Sequence, residues 1–302
     1  MSVITTGSNP KLLFPGVHKT FGQEYNKHPL ECDQMFDMNT SSKAYEEDVR
    51  VTGFGLAPVK AEGASTSYTS SQQADTTRYT NVAYSLGFIV SREEVDDNLY
   101  KEVGRRRATS LAFSMKTTKE VVGANIFNRA FNAAFVGGDG VEMCSAAHPS
   151  AAGNQSNELA VAADLSEASV ETMLIQIMNA TNYEGLQIAL RGMKLLVAPN
   201  EAFNAERILK SNLRSGTDFN DVNAIKSMGL LPQGYMVNHY FTDADAWFIK
   251  TDAPSGLQGF NRTGLELEKD GDFDTGNRKH KAYERYAFGW TDWLGVYGSP
   301  GA

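Results

Sequence analysis

Two stretches of alternating apolar and small or polar positions bracket a segment that is almost wholly polar. Val51-Thr52-Gly53-Phe54-Gly55-Leu56-Ala57-Pro58-Val59 and Tyr79-Thr80-Asn81-Val82-Ala83-Tyr84-Ser85-Leu86-Gly87-Phe88-Ile89-Val90 carry β-branched and aromatic residues in alternation, the pattern of pleated strands. Between them, Glu62 to Arg78 (EGASTSYTSSQQADTTR) holds one aromatic and no large aliphatic residue. Such a segment buries too little to offset the entropy of its own ordering. The pattern predicts the two arms of an extended hairpin whose tip lies on another surface, the nearest source being a second copy of the chain. An interdomain linker would leave the strand-like flanks unexplained.

A different period opens at Ser91. Ser91-Arg92-Glu93-Glu94 places a hydroxyl at an N-cap and a carboxylate three residues on, and Glu93, Glu94 and Asp96 face the positive end of the helix dipole. Val95, Leu99, Val103, Leu111, Met115, Val122, Ile126 and Phe127 then recur at helical spacing, with Gly104 and Gly123 as weak points. A very long helical span that could reach Phe135 is expected, about 60 Å in length, and so a structural spine, a coiled coil or a kinked pair.

Further along, Ser166 is expected to cap a helix with Val170, Met173, Leu174, Ile177 and Met178 on one stripe. Lys194 to Ala198 reads as a buried strand stopped by Pro199, with Asn200 capping a helix that contains Phe203, Ile208 and Leu209. Tyr235 to Phe241 and Ala246 to Lys250 read as strands around a turn at Thr242 to Asp245, and Arg285 to Trp290 as a closing strand of alternating aromatics. The class is α+β, without internal repeats.

Composition removes several alternatives. The 302 residues, 41% hydrophobic and 21% charged, suffice for one large core or two smaller ones. No apolar run approaches the ~20 residues of a membrane span, and Met1 to Gly16 lacks the layout of a signal peptide, so a chain that stays soluble in the cell that makes it is expected. A net charge of −8, from 28 basic and 36 acidic residues, disfavours tight coating with nucleic acid. The one basic cluster, Arg105-Arg106-Arg107 with Lys116 and Lys119 beyond it, suits a solvated helix face, pairing with carboxylates such as Glu102, or weak contact with DNA.

Candidate chemistry is sparse. His28, Cys32, Cys144 and His148 contain the atoms of a tetrahedral zinc site, but their spacing matches no finger, so Cys32 and Cys144 are expected as free thiols and no metal or cofactor is expected. Asp270 to Asp274 resembles the start of a calcium loop, yet Thr275 and Lys281 stand where glycine and a bidentate glutamate are needed. Gly137-Gly138-Asp139-Gly140 lacks the lysine and hydroxyl of a phosphate loop, and there is no G-x-S-x-G elbow. Asp243-Ala244-Asp245 is the remaining metal candidate, and it equally suits an acidic turn. No catalytic residue is assigned.

The order of many short stretches carries a resemblance. Ala57-Pro58-Val59-Lys60-Ala61-Glu62-Gly63, Arg78-Tyr79, Leu86-Gly87-Phe88, Arg92-Glu93 and Asp96-Asp97-Asn98-Leu99-Tyr100 resemble the extension loop and spine helix of tailed-phage major capsid proteins with the Hong Kong 97-type shell fold. Met143 to Pro149, Gly153 to Asn157, Asp164-Leu165-Ser166, Leu195 to Pro199 and Tyr283 to Gly298 extend the likeness over nearly the whole chain. It implies an N-terminal arm at 1–49, an extension loop at 50–88, a peripheral domain with the spine helix at 89–184, an axial domain at 185–275, and closing peripheral strands at 276–302.

The implied function is mechanical: a bacteriophage head subunit that self-assembles into an icosahedral shell around double-stranded DNA. It would be built in the host cytoplasm and become part of the virion. Its main partner would be itself, as pentamers and hexamers, with scaffolding, portal and cement proteins as further partners, weak contact with packaged DNA, and no membrane. Some relatives weld loop to neighbour through a lysine near the loop tip; here the loop's lysine is Lys60, on the ascending arm, so non-covalent locking is expected. The beginning of the chain lacks a long charged helical segment, which points to a separate scaffold or an already mature product. Interface residues expected on this reading are Lys60, Glu62 and Arg78 at the loop base, Arg105, Arg106 and Arg107 on the spine, and Trp290 and Trp293 in the closing strands. Two rivals are an encapsulin-like compartment with an enzyme cargo and a metal-dependent α/β enzyme using Asp243 and Asp245.

Overall fold

The computed structural model describes residues 21–27, 29–97, 100–213 and 221–302. Among the described residues, strands gather into two four-stranded sheets and one two-stranded ribbon. In the first sheet the order is β1 (Asp37–Thr40), β8 (Leu257–Gly271), β9 (Arg278–Trp290), β4 (Val82–Val90), with β1 parallel to β8 and the other pairs antiparallel. In the second the order is β10 (Val296–Ser299), β7 (Trp247–Thr251), β5 (Gly192–Val197), β6 (Tyr235–Val237), with β5 parallel to β6. The ribbon pairs β2 (Tyr45–Val51) with β3 (Gln73–Thr80).

The hairpin exists, but its arms lie elsewhere than the alternation suggested. Pairing runs from Tyr45↔Thr80 to Val51↔Gln73 and closes with Thr52 N–H on the Gln72 carbonyl at 3.0 Å. Beyond Val51, which ends β2, the run to Val59 is no strand: Gly53 turns at a φ of 81° and Pro58 has no N–H to donate. Tyr79 to Val90 is divided at Asn81, which is buried and bonds the Ser41 hydroxyl and the Lys43 carbonyl through its side chain while its N–H reaches the Ala44 carbonyl. One half stays in the ribbon and the other becomes an edge of the first sheet.

The expected helical span holds two helices. Ser91 does cap a helix, accepting from the Glu94 N–H, but α2 (Arg92–Asp96) is five residues long. Its acidic end at Asp96 and Asp97 opposes the negative pole of a helix C-terminus, which explains the stop. Then α3 (Tyr100–Asn128) runs 29 residues, about 43 Å. It ends at Asn128, beyond which Ala130, Asn132 and Phe135 N–H bond three residues back in successive turns, and the Asn128 side chain ties this end to the body by donating to the Tyr240 carbonyl and accepting from Thr242 N–H. Gly123 sits mid-helix where a Cβ would lie 2.9 Å from Cys32 Cβ, so a side chain is excluded by the close approach of α1 (Cys32–Met35).

Three apolar clusters hold these elements together. Near its start, α3 packs Ala108, Leu111, Ala112 and Met115 against Val90 and Ala282. Towards its end it packs Phe127 with α1, Met143, Cys144 and Phe248. α4 (Glu167–Met178) begins with a Ser166–Ser169 capping box and buries Val170, Met173, Leu174 and Ile177 on the second sheet, at about 1.5–3 kcal/mol per side chain. Met178, at the end of the expected stripe, is exposed.

Several further features complete the body. Asn200 lies inside a 3₁₀ turn, Pro199–Glu201, and no side chain caps α5 (Ala202–Lys210), on which Phe203 points to solvent. β6 and β7 do not form a hairpin, because each pairs with β5 from opposite sides. Residues 31–40 are integral to the body, since α1 is core and β1 pairs with β8. Strand pairing also crosses the expected boundary at 275: β8 and β9 form one antiparallel pair, and β10 returns to the sheet of β5. After α5 a short helix, α6 (Ala224–Met228), is capped by Asn223. Among the described residues no helix is long and apolar enough to cross a membrane.

Candidate assembly surface

The ribbon formed by β2 and β3 is anchored at its base. Arg50 pairs with Asp75 inside the ribbon and with Asp292 of the body, the second contact being 3.5 Å. Thr291 joins three elements: its hydroxyl is 2.6 Å from the Tyr79 hydroxyl and donates to Asp48 at 2.8 Å. Asp292 also caps the turn at Trp293–Gly295 by accepting from Leu294 N–H. Burial pushes the Asp292 carboxyl above its ordinary range, opposed by that N–H and by the Arg50 charge. Opposite, the Gly137-Gly138 turn meets the ribbon so closely that a Cβ on Gly138 would stand 2.7 Å from the Thr77 hydroxyl.

Beyond this base the chain is bare. Residues 54–73 are exposed throughout, including Leu56 at 84%, Val59 at 101% and Tyr68 at 92%. A firm base carrying an uncovered apolar tip is the geometry of a segment made to be covered by something else.

The expected interface residues divide into three groups. Lys60 and Glu62 lie exposed on the bare segment, and Arg78 lies exposed on its base, stacked 4.4 Å over the Tyr45 ring and paired with Glu47. Arg105 and Arg106 are exposed on α3, whereas Arg107 is committed within the subunit, gripping both Glu94 oxygens at 2.9 and 2.8 Å and the Ile89 carbonyl at 3.2 Å. Glu102, the partner suggested for the cluster, has a side chain outside the described ones. Lys119 is buried against Glu284 at 2.7 Å, so the basic cluster is no continuous stripe. Trp290 is partly buried with its indole over Gly137, and Trp293 is 4% exposed, so Trp293 is a core residue and not a surface contact.

Trp293 belongs to a polar joint that the sequence did not announce. Its ring stacks on buried His148 at 4.5 Å and 7°. His148 Nδ1 lies 2.6 Å from Asp139, and Nε2 lies 3.1 Å from Asn157 Oδ1. The amide of Asn157 donates to the Met143, Trp293 and Val296 carbonyls while its oxygen accepts from Ser145 N–H. Both His148 nitrogens are thus engaged within the fold; His28 lies outside the described residues. Both thiols are buried, and burial raises the Cys32 thiol well above its usual range, as nearby Glu120 and Asp33 do further.

The other candidate ion sites are turns. Asp243 accepts from Asp245 N–H at 3.1 Å, and Asp272 accepts from Asp274 N–H and pairs with Lys279. Among the described residues no three His, Cys, Asp or Glu side chains gather as a metal cluster.

A family model described as phage capsid protein matches residues 74–299. No curated protein matches the chain. Among solved structures, a virus-like particle from Pyrococcus furiosus is 10% identical with a TM-score of 0.55, covering 95% of this chain and 98% of its own. The capsid of Myoviridae phage XM1 is 12% identical with a TM-score of 0.52, covering 91% and 92%. A structure from Microbacterium phage Oxtober96 is 10% identical with a TM-score of 0.51, covering 90% and 91%. Likeness at these identities speaks for the fold, and the family match speaks for the class.

Proposed function

Because the chain belongs to the phage capsid protein family and is a structural component of the virion shell, we propose that it is the major head subunit, closing as pentamers and hexamers into an icosahedral container for double-stranded DNA. The observation that carries this reading is the rigid ribbon with an uncovered tip: Arg50, Asp75, Thr291 and Asp292 fix the base, while Phe54, Leu56, Val59 and Tyr68 remain exposed. In a shell each tip lies on a neighbour, and many modest interfaces sum to a strong wall. Locking is non-covalent. Lys60, Glu62 and Arg78 contact the neighbour at the ribbon, and exposed Arg105 and Arg106 offer weak contact to packaged DNA.

In this reading 1–49 is the N-terminal arm, whose residues 1–20 and 28 lie outside the described ones and whose residues 31–40 pack into the body, 50–88 is the extension loop, and 89–184 with 276–302 the peripheral part. Residues 185–275 then supply the axial part, from which β8 departs to pair with β9. Assembly takes place in the host cytoplasm with scaffolding, portal and cement proteins as partners. An encapsulin-like compartment would share the fold, but the match over 74–299 favours a phage head.

The test is deletion of residues 54–71. Subunits lacking them are expected to fold and stay soluble but to form no stable shells. Shells of normal yield and stability from that variant would refute the role of the loop.

A further inference from the structure

The buried joint around His148 holds a proton that its hydrogen bonds locate. The amide of Asn157 fits in one orientation only: its nitrogen lies 2.7, 3.2 and 2.9 Å from the carbonyls of Met143, Trp293 and Val296, which can only accept. Its oxygen takes the Ser145 N–H at 2.8 Å and faces His148 Nε2 at 3.1 Å. An amide oxygen cannot donate, so Nε2 carries a hydrogen. On the other side of the ring, Nδ1 stands 2.6 Å from an Asp139 oxygen. A bare nitrogen and a bare carboxylate at that distance would set two lone pairs against each other, so a second proton lies between them.

Three features place this proton on the ring. The other Asp139 oxygen accepts the Val141 N–H at 3.2 Å, a donor that suits an ionised carboxylate. The ring lies flat on the Trp293 indole at 4.5 Å and 7°, against a face that attracts a cation. Two more carboxylates face it: burial raises both Glu158 and Asp292, and a charge on His148 draws each of them back. Arg50, a cation at the same joint, is engaged by Asp75 and Asp292. The His148 and Asp139 side chains are 0% and 6% exposed, so water offers no alternative partner.

Asp139 belongs to the turn at 137–141, which closes with Gly137 N–H on the Val141 carbonyl at 2.7 Å. A Cβ on Gly137 would stand 2.8 Å from the Trp290 indole nitrogen, so the turn is wedged between the body and the ribbon strand that touches Gly138. The same turn walls a cavity of about 360 Å³ that also reaches Thr77, Val122 and Ile126, so packing alone does not hold it against the ribbon.

We propose that His148 is an internal imidazolium whose charge-assisted bond to Asp139 locks the turn at 137–141 and so fixes the bearing on which the ribbon of the same subunit rests. The lock lies within one subunit and works whether or not shells form.

The test is nuclear magnetic resonance on the unassembled full chain with nitrogen-15 in its histidines, at neutral pH. The His148 ring, one of five, is identified by its contact with the Trp293 ring. One-bond couplings to hydrogen at both ring nitrogens are expected, and a bare Nδ1 would overturn the assignment. Hydrogen exchange of Asp139→Asn against the parent then tests the lock, because asparagine keeps a hydrogen bond to Nδ1 and removes the charge. Amides of residues 137–141 and of Gln73–Thr80 should exchange about tenfold faster, the difference between a charge-assisted and a neutral bond, while those of α4 are unchanged. Unaltered exchange in the turn and ribbon would overturn the lock, as would a loosening shared by every element.

Discussion

Removing the charge of Lys119 while leaving Glu284 in place is expected to cost the subunit about 3–5 kcal/mol. Lys119 and Glu284 are 3% and 1% exposed, so water does not reach them to replace a lost partner. Their ion pair spans 2.7 Å. At an effective dielectric near 20, attraction across such a distance is about 6 kcal/mol. In Lys119→Met the orphaned Glu284 keeps, among the described residues, a 3.4 Å approach from the Tyr25 hydroxyl. Replacing both residues with methionine removes the pair without stranding a charge, so the double variant should lie within about 1 kcal/mol of the parent or above it. The cation–π contact of Lys119 with the Tyr286 ring, at 5.2 Å, is lost in both variants and cancels in the comparison. Urea unfolding of the unassembled subunit, followed by tryptophan fluorescence, measures all of these. A single-variant loss under about 1 kcal/mol, or a double variant as unstable as the sum of the two singles, would refute the reasoning.

Gly123→Ala gains about 1 kcal/mol of helix propensity but forces a Cβ to within 2.9 Å of Cys32, an overpacking cost of about 1–3 kcal/mol; a net loss is expected by thermal unfolding, and a gain would contradict the close approach. Asn157→Ala strands buried carbonyls of Met143, Trp293 and Val296 and the Ser145 N–H, so a loss of about 2–4 kcal/mol is expected in denaturant titration, with loss of protection at the Ser145 amide in hydrogen exchange. Asp292 and Glu120 are both raised by burial, each opposed by N–H donors. A carboxyl raised on folding holds its proton more tightly in the native state, so its contribution is best below the unfolded value and declines as pH rises through the folded one. The stability of Asp292→Asn relative to the parent should therefore grow as pH increases above the ordinary aspartate value of 3.8, and a difference that shrinks would contradict the assignment.

Local chemistry was legible where one side chain decides the outcome. Ser91 and Ser166 cap helices as their positions suggest, and the apolar stripe of α4 faces the core. The family resemblance likewise rested on short ordered stretches, and the match over 74–299 agrees with it. What failed was pairing, because alternation marks a strand without naming its partner. The run Tyr45–Val51 holds three acidic residues in a row, Glu46-Glu47-Asp48, which hides the alternation of the ascending arm. In β8 half-buried Leu265 and Leu267 alternate with exposed Glu266 and Glu268, a signal only four residues long within a strand of fifteen. The anchoring of the ribbon could not be seen at all: Tyr79 and Thr291 are 212 residues apart, and nothing in their neighbourhoods links them before folding.

The central claim is most directly tested by electron microscopy and light scattering on the purified chain, alone and together with the products of its neighbouring genes. Closed uniform particles, or five- and six-membered rings, are the predicted result. A subunit that stays monomeric under all of these conditions would contradict the account.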